Sequence, residues 1–257
     1  MISVAVAGYA GRMGSAVVDA VTSADDMTVV CGIDPHKQTR SFPTYTSVAS
    51  ALEAHTCDVL VDFTQPTSVF DNCKAALRAG VNCVIGTTGL SDEQLHELEK
   101  CAGDKLCVFF APNFTTGAVL MMQFAQVAAP YFPEVEIIEY HHAKKLDAPS
   151  GTALRSAALI AAARDGKPSQ APMKESETAG CEGARGACVQ GIPVHSVRSM
   201  GYVASQEIIF GSFGQTLTIR HDSWDRNSYM PGVLLGIRKA PLHTGLIVGL
   251  EYFMDVK

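Results

Sequence analysis

The side chains best suited to acid–base chemistry lie in one short run, where His141, His142, Lys144 and Lys145 follow one another in an otherwise acidic chain. A histidine of near-neutral pKa can deliver a proton, and a nearby lysine can stabilise developing negative charge. Ser150 is placed to cap a helix whose free N–H groups attract anions. The residues Ser150-Gly151-Thr152 and the cationic run together predict a pocket for a carboxylate or phosphate. The alternative is a solvated charged loop followed by a capped helix.

A glycine turn near the start of the chain predicts a dinucleotide site. Gly8, Gly11 and Gly14 form a G-x-x-G-x-x-G pattern that encloses Arg12 and Met13. An apolar strand pattern over residues 2–7 precedes them, and apolar residues at helical spacing follow. In this arrangement glycines let the backbone and a helix N-terminus approach a pyrophosphate. A purely structural strand–helix turn is the alternative.

An acidic residue ends the second predicted strand, which covers residues 27–34. A carboxylate at this position, here Asp34, typically binds the adenosine ribose hydroxyls and favours NAD(H). His36, Lys37 and Arg12 bring positive charge that offsets its repulsion of a 2′-phosphate. The sequence therefore predicts NADH and/or NADPH as cofactor. An ordinary polar turn after the strand is the alternative.

Three further turns follow predicted strands of the first hundred or so residues. Because ligands of parallel sheets bind beyond the carboxyl ends of the strands, we expect these turns to line the nicotinamide side of the cofactor, although each also fits ordinary loop chemistry. The residues concerned are Phe63, Thr64, Gly86, Thr87, Thr88, Ala111, Pro112, Asn113 and Phe114.

Composition excludes several classes of function. The 257 residues are 47% hydrophobic, which allows a sizeable core, and the net charge of −6 gives no reason to expect nucleic-acid binding. No apolar run reaches the length of a membrane span, and a strand that begins at residue 2 leaves no room for a signal peptide. The eight cysteines show no C-x-x-C pair, and we interpret Cys31, Cys73, Cys83 and Cys107 as buried thiols, with no metal site. We expect a cytoplasmic protein that is not membrane-bound.

The order of elements predicts an α/β fold, namely a Rossmann-type doubly wound parallel sheet with an inserted α+β substrate domain built on an open mixed sheet. We assign residues 1–112 with 222–257 to the dinucleotide-binding domain, and residues 113–221 to the inserted substrate-binding domain. Residues 165–189 lack a clear period and are interpreted as a long loop. A helix near residues 229–238 is expected to return to the first domain.

These motifs together carry a resemblance to a known family. The chain resembles the dihydrodipicolinate reductase (4-hydroxy-tetrahydrodipicolinate reductase) family over nearly its whole length, and the block over residues 139–153 is far more specific than the glycine turn. The matching segments are Gly8 with Gly11-Arg12-Met13-Gly14, Asp62-Phe63-Thr64, residues 86–89, 111–114, 139–153, 194–198, 210–211, 216–223 and Gly245-Leu246.

The resemblance implies a reaction and roles for individual residues. A nicotinamide hydride would reduce a cyclic dicarboxylate to tetrahydrodipicolinate in lysine and diaminopimelate biosynthesis, in a protein that is usually a homotetramer with a hinged substrate domain. His141 would donate the proton and Lys145 would be its electrostatic partner. The substrate carboxylates would be bound by His142, Lys145, Ser150, Gly151 and Thr152. The glycine turn, Asp34 and the three later turns would line the cofactor.

Three places depart from the family pattern, namely Tyr9, Pro35 and the segment Ala204-Ser205-Gln206, the last without effect on the chemistry. Tyr9 replaces the small residue usual after the first glycine, and it either crowds the turn or points away from the nucleotide. Pro35 follows Asp34 where relatives that use NADPH well often carry a basic residue. Two other functions stay open, namely another inserted-domain NAD(P)-dependent amino-acid dehydrogenase and a non-catalytic nucleotide sensor. The intact His141 and Lys145 count against the sensor.

Overall fold

The chain forms two compact units in a computed structural model that describes residues 1–36, 39–170, 181 and 183–254. Unit 1 comprises Met1–Thr116 and Arg226–Lys257, and unit 2 comprises Gly117–Asp225. The second unit is therefore an insertion between the two segments of the first.

Unit 1 is built on a parallel sheet of seven strands, which confirms the predicted Rossmann-type fold class. The strands are β1 (Ile2–Ala7), β2 (Met27–Ile33), β3 (Thr44–Tyr45), β4 (Val59–Asp62), β5 (Asn82–Ile85), β6 (Cys107–Phe110) and β12 (Gly245–Val248). Their order in the sheet is β12-β6-β5-β4-β1-β2-β3. The chain therefore starts in the middle of the sheet and builds outward in both directions, so the carboxyl ends of β1 and β4 lie side by side.

The described part of unit 1 contains five α-helices, and the first of them buries apolar residues at the predicted helical spacing. Val17 and Val21 are buried on the first helix. The pattern Ser91-Asp92-Glu93-Gln94 predicts a capping box, and in the structure Ser91 caps the fourth helix in such a box with Gln94. The helices are α1 (Arg12–Thr22), α2 (Val48–Ala54), α3 (Val69–Arg78), α4 (Asp92–Ala102) and α7 (Met230–Lys239).

Some elements of unit 1 differ from the sequence prediction. A proline after a strand, here Pro66, predicts the first residue of a helix, but Pro66 lies in a turn and α3 begins three residues later, at Val69. Strands β3 and β12 and helix α2 carried no sequence signal strong enough to predict them. The last strand adds to the sheet through parallel pairing of Gly245–Val248 with β6. Short edge elements of this kind depend on tertiary pairing rather than on local propensity.

Unit 2 is an open mixed sheet of five strands covered by two helices. Its strands are β7 (Glu134–His141), β8 (Ala187–Val189), β9 (Ile192–Arg198), β10 (Ala204–Ser212) and β11 (Gln215–Ser223), in the order β11-β10-β7-β9-β8. Only β7 and β9 pair in parallel among them. Helices α5 (Thr116–Ala128) and α6 (Gly151–Ala163) pack on one face through a shared apolar core.

The predicted loop over residues 165–189 is correct only in part. Its last three residues form β8, which pairs antiparallel with β9. A strand this short has no recognisable period in the sequence. Residues 171–180 and 182 of the predicted loop lie outside the described residues.

Alternation along β7 places the candidate acid–base residues. Val135 and Ile137 are buried in the core beneath α6, and side chains two residues apart share a face of a strand. Glu139 and His141 therefore continue this inward-facing row toward the carboxyl end of β7. The strand thus delivers a carboxylate and an imidazole to the same end of the unit 2 core.

The four cysteines predicted to be buried thiols are buried in the structure. Cys31, Cys73, Cys83 and Cys107 are buried and unpaired, and burial raises the pKa of Cys31 to about 11. Within the described ranges, no helix combines the length and apolar composition of a membrane span, and no group of potential metal ligands comes together.

Candidate active site

The glycine turn of unit 1 is packed so tightly that side chains would not fit. Gly8 has φ of +81°, and a Cβ there would lie 2.4 Å from the carbonyl oxygen of Phe63. A Cβ on Gly14 would lie 2.0 Å from the carbonyl oxygen of Gly8, which also accepts a hydrogen bond of 2.9 Å from the Gly11 amide. These close contacts hold the start of α1 directly against the end of β1.

Helix α1 begins without a side-chain cap. Gly11 is the N-cap residue and has no side chain to offer, and the first turn carries no acidic residue. Arg12 is exposed and Met13 is partly buried at this end. The amide groups of the first turn therefore remain available to an anion, as a pyrophosphate site requires.

Tyr9 points away from this helix end. Its side chain is fully buried and packs edge-on against Phe42, with ring centroids 5.8 Å apart. Gly32 makes room for it, because a Cβ there would lie 2.7 Å from the Tyr9 ring. The departure from the family pattern is therefore accommodated in the core of unit 1.

The residue before Asp34 is hydrogen-bonded to the glycine turn through its backbone. The Gly8 amide donates to the carbonyl of Ile33 over 2.7 Å, and the Asp34 amide donates to Tyr45 over 2.9 Å. One carboxylate oxygen of Asp34 accepts from the His36 amide over 2.9 Å. Asp34 therefore lies beside the turn, as predicted, whereas Lys37 lies outside the described residues.

A buried carboxylate that we did not predict as a site residue joins two of the later turns. Asp62 is fully buried at the end of β4. Its Oδ1 accepts from the Thr64 amide over 3.0 Å and from the hydroxyls of Thr64 and Thr87 over 2.7 Å each. Its Oδ2 accepts from the Asn72 amide group over 2.9 Å. This one side chain fixes the turn after β4 against the turn after β5.

Phe63 forms an aromatic wall with the remaining turns. A Cβ on Gly86 would lie 2.1 Å from the Phe63 ring, so a larger residue there would force the ring to move. The rings of Phe63 and Phe114 have centroids 5.7 Å apart, and Phe114 is itself buried. The turn after β6 is held by Asn113, whose side-chain oxygen accepts from the Thr115 amide over 2.8 Å.

The remaining residues predicted for these turns differ in exposure. Ala111 is buried, and its amide donates to the carbonyl of Ile85 over 3.2 Å. Thr88 and Pro112 are exposed. The three predicted turns therefore share one edge of the unit 1 sheet, where an exposed polar surface lies on a buried aromatic and carboxylate layer.

Unit 2 brings His141 against two buried or partly buried charged groups. The imidazole Nδ1 contacts the Glu139 carboxylate in a very short hydrogen bond. Arg198 binds the same carboxylate through both of its terminal nitrogens, at 2.8 and 2.9 Å. Glu139 is fully buried, whereas the His141 side chain keeps 14% of its surface exposed. The Glu139 carboxylate thus orients the imidazole, and another side of the ring is open to solvent.

Lys145 is held next to this group by the loop that leaves β7. Its ammonium group pairs with Asp147 over 2.8 Å, and its amide donates to the carbonyl of His142 over 3.1 Å. Arg198 donates to the backbone carbonyl of Asp147 over 2.7 Å. The arginine therefore links the loop that carries Lys145 to the carboxylate that contacts His141.

The start of α6 completes the cluster. The Ser150 hydroxyl accepts from the Ala153 amide over 3.2 Å, which confirms the predicted N-cap, and the Ser150 amide donates to Glu139 over 3.2 Å. Gly151 is exposed with open space around it, and Thr152 is partly exposed. His142 is also exposed. The sequence therefore predicted the residues of this cluster but missed Glu139 and Arg198, which join them.

The charges around His141 set its protonation. Burial lowers the pKa of His141 below its usual value of 6.5; the Glu139 hydrogen bond opposes this, and the charges of Lys145 and Arg198 add to it. Burial alone would raise the pKa of Glu139, but hydrogen bonds from Arg198, Ser196 and His141 outweigh it and lower that pKa. At neutral pH the cluster therefore holds an ionised carboxylate beside a largely neutral imidazole.

Each unit carries residues that suit a different ligand. Unit 1 has a glycine cradle, an uncapped helix end and a ribose-type carboxylate, which fit a nicotinamide dinucleotide. Unit 2 has a partly exposed imidazole among cationic groups, which fits an anionic substrate. These features define a two-domain, nicotinamide-dependent oxidoreductase.

Comparison with known families gives the particular family. Residues 2–114 match the model of the dihydrodipicolinate reductase N-terminus, and residues 117–254 match the model of the dihydrodipicolinate reductase C-terminus. The chain belongs to the dihydrodipicolinate reductase family.

Two relatives that match this chain over nearly their whole length have names of the same family. A 4-hydroxy-tetrahydrodipicolinate reductase from Mycobacterium sp. (strain KMS) is 49% identical over 98% of this chain and 99% of its own length. A protein of the same name from Streptomyces coelicolor is 46% identical, covering 99% of this chain and 98% of its own length.

Solved structures agree with this assignment. The dipicolinate-bound dihydrodipicolinate reductase from Paenisporosarcina sp. TG-14 superposes with a TM-score of 0.91 at 42% identity, covering 99% of this chain and all of that one. An amine dehydrogenase from Mycobacterium smegmatis has a TM-score of 0.65 at 13% identity, and this likeness concerns the fold alone.

Replacing the carboxylate that joins the turns tests the cofactor half of the site. We expect Asp62→Ala to raise the Kd for NADH at least about tenfold, a free-energy change of about 1.4 kcal/mol, because the turns after β4 and β5 lose their common acceptor. Fluorescence titration with NADH measures the Kd, and circular dichroism checks that the variant is folded.

The matched control is Asp58→Ala at the other end of β4. Asp58 accepts from the amide and hydroxyl of Ser3, at 2.7 and 2.6 Å, away from the turns. We expect its Kd for NADH to be unchanged. A folded Asp62→Ala protein with wild-type affinity would contradict the role of Asp62.

Proposed function

We propose that this chain reduces 4-hydroxy-tetrahydrodipicolinate to tetrahydrodipicolinate with NADH or NADPH, with His141 as proton donor, in lysine and diaminopimelate biosynthesis. The observation that carries the residue assignment is the cluster at the end of β7. There His141, Lys145 and the start of α6 come together around the Glu139–Arg198 ion pair. A dianionic substrate suits such a cluster, since its two carboxylates need cationic or N–H partners.

Each member of the cluster has a proposed role. His141 delivers the proton to the substrate. Lys145 stabilises the negative charge that develops on it. His142, Gly151 and Thr152 bind the carboxylates, because amides at the exposed start of a helix and an exposed imidazole are suitable anion donors. Ser150 is buried, and it serves this site by capping the helix and by donating its amide to Glu139. The free His141 face and the exposure of Gly151 support this assignment.

We propose that unit 1 holds the cofactor through the residues predicted from the sequence. The first-turn amides at Arg12 and Met13, with the cradle formed by Gly8, Gly11 and Gly14, bind the pyrophosphate. Asp34 binds the adenosine ribose. Phe63, Thr64, Gly86, Thr87, Thr88 and the turn Ala111, Pro112, Asn113 and Phe114 line the nicotinamide end. When bound, the nicotinamide supplies the hydride for the reduction.

The nucleotide preference follows from the charge near the ribose. Asp34 favours NADH because its carboxylate repels a 2′-phosphate. Arg12 and His36 are exposed and can offset this repulsion. We propose that both nucleotides are used. Comparison of kcat/KM for NADH and NADPH in one steady-state assay measures the preference directly.

We also propose a cytoplasmic homotetramer, with residues 113–221 as the oligomerisation domain and residues 1–112 with 222–257 as the nucleotide domain. In the described part of unit 2, both helices pack on the same face of the sheet, which leaves the other face for a second copy. The free thiols suit a reducing compartment. Sedimentation equilibrium measures the assembly, and cell fractionation the location.

Replacing the proposed proton donor tests the function. We expect His141→Gln to lower kcat by roughly 10²–10⁴-fold, the range for loss of a general acid, with NADH binding intact. The assay follows NADH absorbance while a condensing synthase supplies substrate from pyruvate and aspartate semialdehyde. A near-normal kcat would remove His141 from this role, and a wild-type protein that binds NADH without consuming it would be a nucleotide sensor.

Removing the lysine beside it tests the charge stabilisation. We expect Lys145→Ala to lower kcat/KM by roughly 10²-fold, because a fixed positive donor is lost, while the Kd for NADH stays unchanged. Lys100→Ala, an exposed position on α4, is the control and should behave as wild type. Unchanged kinetics in Lys145→Ala would mean that the lysine is only a surface charge.

A further inference from the structure

Glu139 lies in the cluster at the end of β7, where it is buried from solvent and surrounded by hydrogen-bond donors. It has no exposed surface. Its two oxygens accept from both terminal nitrogens of Arg198, from the Ser150 amide and from the imidazole of His141. A carboxylate buried among this many donors is held ionised, which agrees with its lowered pKa.

An ionised carboxylate fixes which nitrogen of His141 carries hydrogen. Such a carboxylate has no hydrogen to donate, so the Nδ1 of His141 that contacts it must be the N–H nitrogen. In the neutral imidazole, Nε2 is then the nitrogen without hydrogen. In the imidazolium, Nε2–H is the bond directed away from Glu139.

We infer that Glu139 is a positioning residue for the proton transfer, because it selects the Nδ1–H form of His141 and so reserves Nε2 as the atom that exchanges the proton. This inference rests on the proposed function of His141. Arg198 acts one step further away, because it holds both oxygens of Glu139 in place. Neither residue is proposed to touch the substrate.

The proton transfer neither oxidises nor reduces the histidine. The imidazolium breaks its Nε2–H bond and gives the proton to the substrate atom next to the one that is reduced. The neutral ring that remains keeps Nδ1–H and its hydrogen bond to Glu139. Solvent supplies a new proton to Nε2 before the next turnover, so each reduction consumes one proton besides the hydride. The charged groups that act on this imidazole are Glu139 of its own strand, Lys145 of the following loop and Arg198 of β9.

The same carboxylate also sets the position of the anion-binding elements. Its contact with the Ser150 amide joins β7 to the start of α6, and Arg198 joins it to the backbone of Asp147. Asp147 in turn holds Lys145. A single buried side chain therefore aligns the proton donor with both groups proposed to hold the substrate.

A second glutamate on β7 provides a matched control. Glu136 likewise accepts from a histidine and an arginine, namely His195 over 2.6 Å and Arg185 in a very short contact. It lies three residues before Glu139 and hence on the opposite face of the strand, away from the cluster. Glu136→Gln removes the same charge from the same strand without touching His141.

The experiment compares Glu139→Gln with His141→Gln, the double variant and Glu136→Gln. In Glu139→Gln we expect kcat to fall at least about tenfold, with a limit near the loss in His141→Gln, since an orienting partner cannot contribute more than the acid that it orients. The double variant should match His141→Gln within about twofold, because the two residues act as a unit. Glu136→Gln should keep the wild-type kcat.

The pH profile separates positioning from structural damage. Because His141 must be protonated to donate, kcat/KM should fall as the pH rises through its pKa. Loss of the Glu139 charge removes an interaction that raises this pKa, so the falling limb should move to lower pH in Glu139→Gln. A purely structural defect would lower the rate at every pH without moving the limb.

The outcomes distinguish this inference from the proposed function. If His141→Gln itself turns over normally, the proposed function of His141 fails. If His141→Gln is impaired but Glu139→Gln has wild-type kcat and pH limb, or if the two losses multiply in the double variant, the positioning role of Glu139 is overturned.

A measurement on the wild-type protein covers the case in which Glu139→Gln does not fold. Nitrogen NMR of histidine-labelled protein above pH 7.5 reports the tautomer of each imidazole, and the signal missing from His141→Gln identifies His141. We expect the Nδ1–H form. The Nε2–H form would overturn the inference without any substitution of Glu139.

Discussion

The buried ion pair between Glu139 and Arg198 is the interaction on which the cluster at the end of β7 depends. Leaving one member of a buried ion pair without its partner costs about 3–5 kcal/mol. The two charges meet in a bidentate contact at 2.8 and 2.9 Å, and the remaining acceptor positions are filled by Ser150 and His141. The strand, the helix start and the following loop are therefore each tied to this one carboxylate.

In unit 1 a buried carboxylate likewise holds neighbouring turns in place. Asp62 ends β4 fully buried and accepts hydrogen bonds from side chains on both neighbouring turns and from α3. In each unit an acidic side chain at or near the carboxyl end of a strand is covered completely and organises the groups above it. The exposed residues can then contact ligands while the buried acid keeps their geometry, which limits the reorganisation that binding requires.

Local patterns in the sequence predicted the parts of the structure that local chemistry determines. The glycine turn, the Ser91 capping box and the Ser150 N-cap each depend on residues within a few positions of one another, and the structure contains all three. The family resemblance added the reaction and named His141 and Lys145. The comparisons confirm the family and the activity, whereas the residue roles stay predictions.

The parts that were missed depend on contacts between distant residues. Arg198 is separated from Glu139 by 59 positions, and Thr87 from Asp62 by 25. No spacing rule links such pairs before the fold is known. The short strands β3, β8 and β12 form only because a neighbouring strand offers them hydrogen bonds, and the inward orientation of Tyr9 depends on the space that Gly32 leaves.

If the cluster at the end of β7 binds a dicarboxylate, as proposed above, His141 should take up a proton from solvent on binding. A dianion raises the pKa of a neighbouring imidazole that is otherwise largely neutral near pH 7.5. Calorimetric titration of the NADH-loaded protein with dipicolinate at this pH, in buffers of different ionisation enthalpy, measures the protons taken up on binding. We expect net uptake approaching about one proton per site, lost in His141→Gln. Binding without proton uptake, or uptake that persists in His141→Gln, would contradict this proposal.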